Sequence, residues 1–176
     1  MVEYSRNINV VTPKEPTRIK LLVVGEPGTG KTSIAKKWST DVFEQKYEPT
    51  IGVDFFCKEL KGVTLNLWDM SGHSEFFEVR NEFYKDCQGI LLVYDISNRR
   101  SFDSLDMWLR EANRYGAQNI PVAVCGNKAD LETRRGVPRN EAENWAQSRR
   151  FLYFEVSAAT GSNLNDMMKA LCQKMK

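Results

Sequence analysis

A glycine-rich stretch that ends in a lysine and a hydroxyl residue, GEPGTGKT at residues 25–32, has the composition of a phosphate-binding loop. Its glycines allow backbone turns that point successive N–H groups at anionic oxygens; they are Gly25, Gly28 and Gly30. A helix expected from Lys31 would add the positive end of its dipole, and the Lys31 side chain can reach the outer phosphates. The Thr32 hydroxyl can ligate Mg²⁺. The spacing predicts a phosphate cradle, which we define as residues 25–33.

Pro27 is an unusual member of this cradle. It has no N–H to donate and its own φ is fixed, so it can crowd the place where the transferred phosphate and the attacking water meet. The other members expected to contact a nucleotide are Glu26, Thr29 and Ser33. The alternative is a glycine-rich turn without a ligand, which the strand before it and the helix after it disfavour.

The NKAD stretch at residues 127–130 can discriminate between bases. It follows the apolar run PVAVCG, at the end of a strand where ligands bind in α/β proteins. A carboxylate at Asp130 can accept hydrogen bonds from both N1–H and the 2-amino group of guanine, whereas adenine would leave it unpaired. Asn127 and Lys128 are expected to contact the nucleotide beside it. The pattern favours GTP, and the alternatives are a polar turn or an ATP-using enzyme.

Bulk composition limits the other functions. The 176 residues suit one compact domain, and 41% hydrophobic with 27% charged side chains is ordinary for a globular protein. With 25 basic and 23 acidic side chains, no excess charge favours nucleic acid. The four cysteines are too scattered for a zinc site, and no signal peptide or long apolar run is present, which predicts a cytoplasmic protein. The tail CQKMK is not a prenylation signal, so no lipid anchor is expected in this chain.

The hydrophobic pattern predicts the elements that position these motifs. Short apolar runs indicate six strands: RIKLLVVG, runs near 51–60 and 63–69, GILLVYD, PVAVCGN and FLYFEVS. Helices are expected after Lys31, near 140–149 and at the C-terminus, and one more is expected to bury Phe102, Leu105, Leu109 and Ala112 on a single face. This alternation predicts an α/β fold with a mainly parallel sheet. Residues 1–16 are expected to form a flexible arm, or a short added strand, before a domain over 17–176.

GEPGTGKT, NKAD and the later stretch EVSAA together resemble the Ras superfamily of small GTPases over about residues 18–175. The resemblance implies a P-loop GTPase G domain with a six-stranded mainly parallel sheet, one antiparallel edge strand and about five helices. It implies GTP or GDP with Mg²⁺ as ligands. It also adds nucleotide contacts at Phe43, which could instead anchor a helix end, and at Ser157, Ala158 and Ala159.

Two further stretches resemble the switches of that family. YEPTIGVDF contains Tyr47, a further expected nucleotide contact, and Thr50, which would reach Mg²⁺ and the γ-phosphate. WDMSG contains Asp69, which would hold Mg²⁺ through water, and Gly72, whose N–H would meet the γ-phosphate. Because loss of the γ-phosphate removes these partners, both stretches should then loosen.

His73 stands where most members of the family have a glutamine that orients the attacking water. A neutral imidazole offers one acceptor and one donor, as the amide does, but on a rigid ring of different reach. The residues expected to act in catalysis are His73, Lys31, Thr50 and Gly72. Since glutamine-bearing relatives alone hydrolyse GTP at a rate on the order of 10⁻⁴ per second, slow hydrolysis is predicted. The alternatives are general-base catalysis by His73 and a GTP-locked scaffold with negligible hydrolysis. Arg80 could supply charge in cis, but a surface side chain is expected.

IGVDF, the aromatic residues Phe55, Trp68 and Phe83, and the segment HSEFFEVRNEFYKD resemble Rab-like GTPases of the Rab–J-like group, some of which carry a C-terminal J domain. Ordinary packing is the alternative for the aromatic residues. The resemblance implies a monomeric regulator of signalling or trafficking. It would bind effectors through residues 43–56, the first switch segment, and 69–85, the second switch segment. It also implies an exchange factor, an activating protein, an Hsp70-type partner where a J domain follows, and the nucleus or ciliary base as alternative locations.

Overall fold

A computed structural model describes residues 17–60 and 62–175, so the arm predicted at 1–16 lies outside the described residues. Within them the chain forms a six-stranded sheet in the order β2–β3–β1–β4–β5–β6. The strands are β1 (Thr17–Val24), β2 (Val53–Leu60), β3 (Val63–Met70), β4 (Gly89–Asp95), β5 (Val122–Asn127) and β6 (Leu152–Glu155). All neighbouring strands are parallel except β2 and β3, which are antiparallel at one edge. The predicted sheet is confirmed.

The described part of the chain contains six α-helices, of which five lie between strands and the sixth follows β6. They are α1 (Lys31–Thr40), α2 (Phe77–Asn81), α3 (Arg99–Asp103), α4 (Leu105–Arg114), α5 (Arg139–Ser148) and α6 (Leu164–Lys174). Two 3₁₀ turns, Ser74–Phe76 and Ala129–Arg134, precede α2 and follow β5. Over these same residues, no helix combines the length and the apolar character needed to cross a membrane.

The single helix predicted to carry Phe102 and Leu105 is divided at Ser104 into α3 and α4. The Ser104 hydroxyl donates to the Ser101 carbonyl at 3.0 Å, a local bond that competes with the regular helical pattern. In α4 the fully buried aromatic residue is Trp108, while Leu109 is only partly buried. The face of α4 that packs on the sheet is therefore turned slightly from the one predicted.

Alternate residues of β1 face opposite sides of the sheet and divide the core into two layers. Leu21 and Val23 pack with α1 and α6, whereas Leu22 and Val24 pack with α4 and α5. Both faces of a parallel sheet must be covered in this way, because its crossover helices lie on both sides. The carboxyl ends of the parallel strands lie at one edge of the sheet, and the predicted motifs lie at that edge, in the strand ends and the loops beside them.

Candidate nucleotide-binding site

The phosphate cradle joins β1 to α1 through turns that require glycine. Gly30 has a φ of 88° and directly precedes α1, which begins at Lys31 as predicted. A Cβ at position 30 would lie 2.3 Å from Nδ2 of Asn127. Both the left-handed backbone and the close approach of Asn127 therefore exclude a larger residue.

Lys31 is buried within the cradle, with 6% of its surface exposed. Its Nζ donates to the Glu26 carbonyl at 2.9 Å, and the Thr29 hydroxyl donates to the same oxygen at 2.9 Å. Burial lowers the pKa of Lys31 to about 8, although the nearby charges of Asp69 and Glu26 oppose the shift. A bound anion would restore the charged form, so this lysine suits a phosphate ligand.

Two side chains of the NKAD stretch brace the cradle. Nδ2 of Asn127 donates to the Thr29 carbonyl at 2.9 Å, and its Oδ1 accepts a bond from the Ala158 N–H at 3.1 Å. Nζ of Lys128 donates to the Gly28 carbonyl at 2.8 Å. These bonds join the cradle, the end of β5 and the EVSAA loop into one network.

Three oxygen-bearing side chains from three segments meet beside the cradle. The hydroxyl oxygens of Thr32 and Thr50 lie 2.8 Å apart, and both hydroxyls donate to Oδ2 of Asp69, that of Thr50 at 3.3 Å. Oδ1 of Asp69 is buried and has no hydrogen-bond partner within the described residues. Burial raises the pKa of Asp69 to about 6, and a cation would lower it again. Hard oxygen ligands around an unpaired carboxylate oxygen fit Mg²⁺.

At Gly72 the backbone of the second switch segment is in close contact with the backbone of the cradle. A Cβ on this residue would lie 2.5 Å from the nitrogen of Pro27 and 2.6 Å from the carbonyl oxygen of Gly25. His73 follows and lines the cleft above the cradle. Its Nε2 is buried and, among residues 17–60 and 62–175, has no hydrogen-bond partner. A buried imidazole nitrogen without a partner is unusual in a folded protein, so a ligand or water is expected there.

The cleft has a phosphate side of about 280 Å³ and a base side of about 250 Å³. Predicted site residues that line the phosphate side are Pro27, Gly28, Gly30, Lys31, Thr32, Ser33, Tyr47, Thr50, Gly72 and His73. The base side adds Phe43, Asn127, Lys128, Asp130, Ala158 and Ala159. Five predicted residues do not line it: Gly25, Glu26, Thr29, Asp69 and Ser157. Ser157 instead orients Asp130, because its buried hydroxyl donates to Oδ1 of that carboxylate at 2.6 Å.

Arg80 is buried, with 4% of its surface exposed, so the prediction of a surface side chain is wrong. Its guanidinium makes a bidentate ion pair with Glu111 of α4, at 2.6 and 2.9 Å. Its Nη1 donates to the carbonyls of His73 at 2.8 Å and Ser71 at 3.3 Å. The guanidinium is thus bound to these partners rather than directed at a phosphate. Glu111 and Trp108, which contact Arg80, were not predicted because no local sequence pattern marks them.

The model of the Ras family matches residues 20–176. The chain belongs to the Ras family. It is therefore a small GTPase, and the arrangement of cradle, switches and base-side loops is the nucleotide site expected of such a protein. The prediction that the chain is a Ras-superfamily G domain is confirmed.

Curated proteins similar to this small GTPase include those named DnaJ homolog subfamily C member 27. The Rattus norvegicus protein is 43% identical over 173 residues, the Homo sapiens protein 42% over 173, and the Danio rerio protein 42% over 166. These alignments cover 92%, 92% and 89% of this chain, but only 63%, 63% and 61% of the relatives. The chain thus spans a little over three fifths of the length of these relatives. They agree with the resemblance to the Rab–J-like group.

Proposed function

We propose that this small GTPase is a Mg²⁺-dependent switch that alternates between GTP- and GDP-bound forms and hydrolyses GTP slowly. The meeting of Thr32, Thr50 and Asp69 carries the proposal, because these residues belong to α1, the first switch segment and the second switch segment. A ligand that joins the three orders both switch segments at once. Loss of the γ-phosphate removes part of that ligand, so the segments loosen together.

The chain's own groups divide the work of binding. The N–H groups of the cradle and the Lys31 ammonium bind the β- and γ-phosphates. The hydroxyls of Thr32 and Thr50 and the carboxylate of Asp69 would hold Mg²⁺, which would neutralise charge on the phosphates when bound. Asp130, oriented by Ser157, accepts hydrogen bonds from the N1–H and the 2-amino group of guanine.

His73 and Pro27 are the basis for slow hydrolysis. The imidazole offers its Nε2, which has no hydrogen-bond partner in the described part of the chain, to a water or a phosphate oxygen, but its ring cannot contact both as a glutamine amide does. Pro27 packs against Gly72 and has no N–H for the γ-phosphate. If poorer positioning of the water raises the activation free energy by about 1.4 kcal/mol, the reaction slows about tenfold. Hydrolysis at or below about 10⁻⁴ per second is the expected result.

Mass spectrometry of the co-purified nucleotide, followed over hours in Mg²⁺, tests the nucleotide assignment. Conversion of GTP to GDP supports the switch, and persistent GTP supports the alternative, a scaffold that holds GTP as a structural ligand. Uptake of ATP as readily as GTP would contradict the assignment of guanine to Asp130. Uptake of neither nucleotide would contradict the site as a whole.

Single-turnover hydrolysis of the variant His73→Gln tests the role of the imidazole. We expect the variant to hydrolyse GTP faster than the wild type, because the amide can contact the water and the phosphate together. A wild-type rate that equals or exceeds that of the variant would contradict this account of His73.

Exposed apolar side chains on the switch segments support effector binding there. Ile51 is 81% exposed, Phe55 50% and Val79 48%. The Phe55 ring lies 4.9 Å from that of Trp68, which lies 5.1 Å from Phe83, so these aromatic residues both pack and present a surface. An effector that binds this surface reads the order of both segments, and an exchange factor and an activating protein act on the same region.

A Rab-like role in signalling or trafficking is the cellular function that we propose for a monomeric chain. The cytoplasm is the proposed location, with the nucleus or the ciliary base as alternatives. The word DnaJ in the relatives' names supports an Hsp70-type partner for a full-length protein that continues into a J domain.

A further inference from the structure

Arg80 links the second switch segment to α4 at the point where that segment meets the cradle. Its guanidinium lies between the Glu111 carboxylate and the carbonyls of Ser71 and His73. Those two carbonyls flank Gly72, whose backbone is in close contact with the cradle. We propose that Arg80 is a positioning residue: held on α4 by Glu111, it fixes the loop 71–73 and sets where the Gly72 N–H and the His73 imidazole face the cleft.

The anchor of Arg80 is rigid because its partner is buried and fully engaged. The exposed fractions of the two side chains are 5% for Arg80 and 9% for Glu111. The Tyr84 hydroxyl donates to Oε1 of the same carboxylate at 2.8 Å. A bidentate arginine–carboxylate pair fixes the plane of the guanidinium as well as its position. The direction in which Nη1 meets the two carbonyls is therefore determined by α4.

The same face of α4 also reaches the cradle. The Trp108 ring lies 4.7 Å from the guanidinium carbon of Arg80, and its Nε1 donates to Oε1 of Glu26 at 3.3 Å. Trp108 and Glu111 are three residues apart, so they lie on one side of the helix. One turn of α4 thus holds both the cradle and the loop 71–73. This turn of α4 therefore sets the distance between the cradle and the loop 71–73, and a γ-phosphate must fit between the two.

The variant Arg80→Lys distinguishes a positioning role from a role that needs only the positive charge. It keeps one positive charge, but it lacks the planar fork that serves a carboxylate and two carbonyls in fixed directions. If Arg80 only stabilises the fold, replacing it changes the melting temperature and little else. If it positions the loop, the replacement also changes the surroundings of His73.

His73 provides a direct readout, because it is the only histidine in the chain. We would compare the imidazole NMR signals of ¹⁵N-histidine-labelled wild type, Arg80→Lys and Glu111→Gln, all with the same bound nucleotide. The matched control is Arg135→Lys, since Arg135 is another largely buried arginine with a carboxylate partner, Glu155, at 2.8 Å. Amide exchange over residues 71–77, single-turnover hydrolysis and melting temperature complete the set.

We expect Arg80→Lys and Glu111→Gln to shift or broaden the His73 signals and to speed amide exchange over 71–77 at least tenfold. Hydrolysis should fall about tenfold; this readout alone rests on the proposed function, which the nucleotide content tests separately. Arg135→Lys should lower the melting temperature and leave the His73 signals unchanged. Unchanged His73 signals in folded Arg80→Lys overturn the proposal, and so does an equal shift in Arg135→Lys.

Trp108→Phe is the second variant in case Arg80→Lys does not fold. It removes the hydrogen bond to Glu26 and keeps an aromatic ring against Arg80. We expect a smaller displacement of the His73 signals in the same direction as in Glu111→Gln. Signals that coincide with those of the wild type overturn the proposal.

Discussion

Replacing Gly72 with alanine tests how closely the second switch segment approaches the cradle. The new Cβ would lie 2.5 Å from the nitrogen of Pro27, 2.6 Å from the Gly25 carbonyl oxygen and 2.7 Å from the Glu26 carbonyl carbon. All three are below the 3.4 Å at which ordinary van der Waals contact begins, and all three are backbone atoms that cannot rotate away. The loop must therefore retreat, at a cost of about 1–3 kcal/mol. The Gly72 N–H then no longer reaches the γ-phosphate.

Loss of the contact between the Gly72 N–H and the γ-phosphate should reduce the preference for GTP over GDP. A hydrogen bond to a charged group contributes about 1.5–3 kcal/mol, so we expect Gly72→Ala to weaken GTP binding at least tenfold relative to GDP. Competition of both nucleotides against a fluorescent GDP analogue in Mg²⁺ measures this ratio. Gly89→Ala is the control, because its Cβ would meet the flexible Met175 side chain at 2.3 Å, far from the cleft. A GTP-to-GDP affinity ratio that stays within twofold of the wild type would refute the reasoning.

Three further predictions concern carboxylate side chains. In a fluorescent-nucleotide dissociation assay, the wild type should release nucleotide faster with EDTA than without it. The variant Asp69→Asn should release nucleotide equally fast with and without EDTA. EDTA-sensitive release in the variant would contradict the metal site. Asp130→Ala should weaken GTP binding by about 2 kcal/mol and leave ATP binding unchanged in the same competition assay. Burial raises the pKa of Glu155, but hydrogen bonds from Arg135 and Tyr153 outweigh burial and hold the pKa below its usual range. The ionised Glu155 therefore stabilises the folded state above pH 4.5, and this contribution is lost as the pH falls through the folded pKa. Urea unfolding should show Glu155→Gln less stable by about 3 kcal/mol at pH 7, with a smaller difference in acid.

Much of the site could be predicted because its motifs are contiguous. In GEPGTGKT the glycines, the lysine and the threonine lie between a strand and a helix, and local sterics alone give the turn at Gly30 and the start of α1 at Lys31. NKAD similarly follows a buried strand, so its place at the carboxyl end of β5 follows from the chain order. The alternation of apolar runs with helical spacing was enough to predict a mainly parallel sheet, and the resemblance to the Ras superfamily added the antiparallel edge.

The parts that were missed depend on partners distant in sequence. Arg80 is 31 residues from Glu111, and Trp108 is 82 residues from Glu26. In the segment FEVRNEF nothing distinguishes a buried arginine from a solvated one, because burial is made favourable only by a carboxylate on another helix. The break at Ser104 was missed for a different, local reason: it accompanies one hydroxyl bond, to the Ser101 carbonyl, within an otherwise continuous helical pattern.

The bonds from Asn127 and Lys128 to the cradle determine which side of the site can open for nucleotide exchange. Together with the bond from the Ala158 N–H to Asn127, they join the cradle, the NKAD stretch and the EVSAA loop. Separating these segments would break three hydrogen bonds, at about 1 kcal/mol each. The opposite rim, residues 41–49, is exposed along its whole length, and a segment with few buried contacts opens at a low free-energy cost. We therefore expect departure of the nucleotide to begin at this rim.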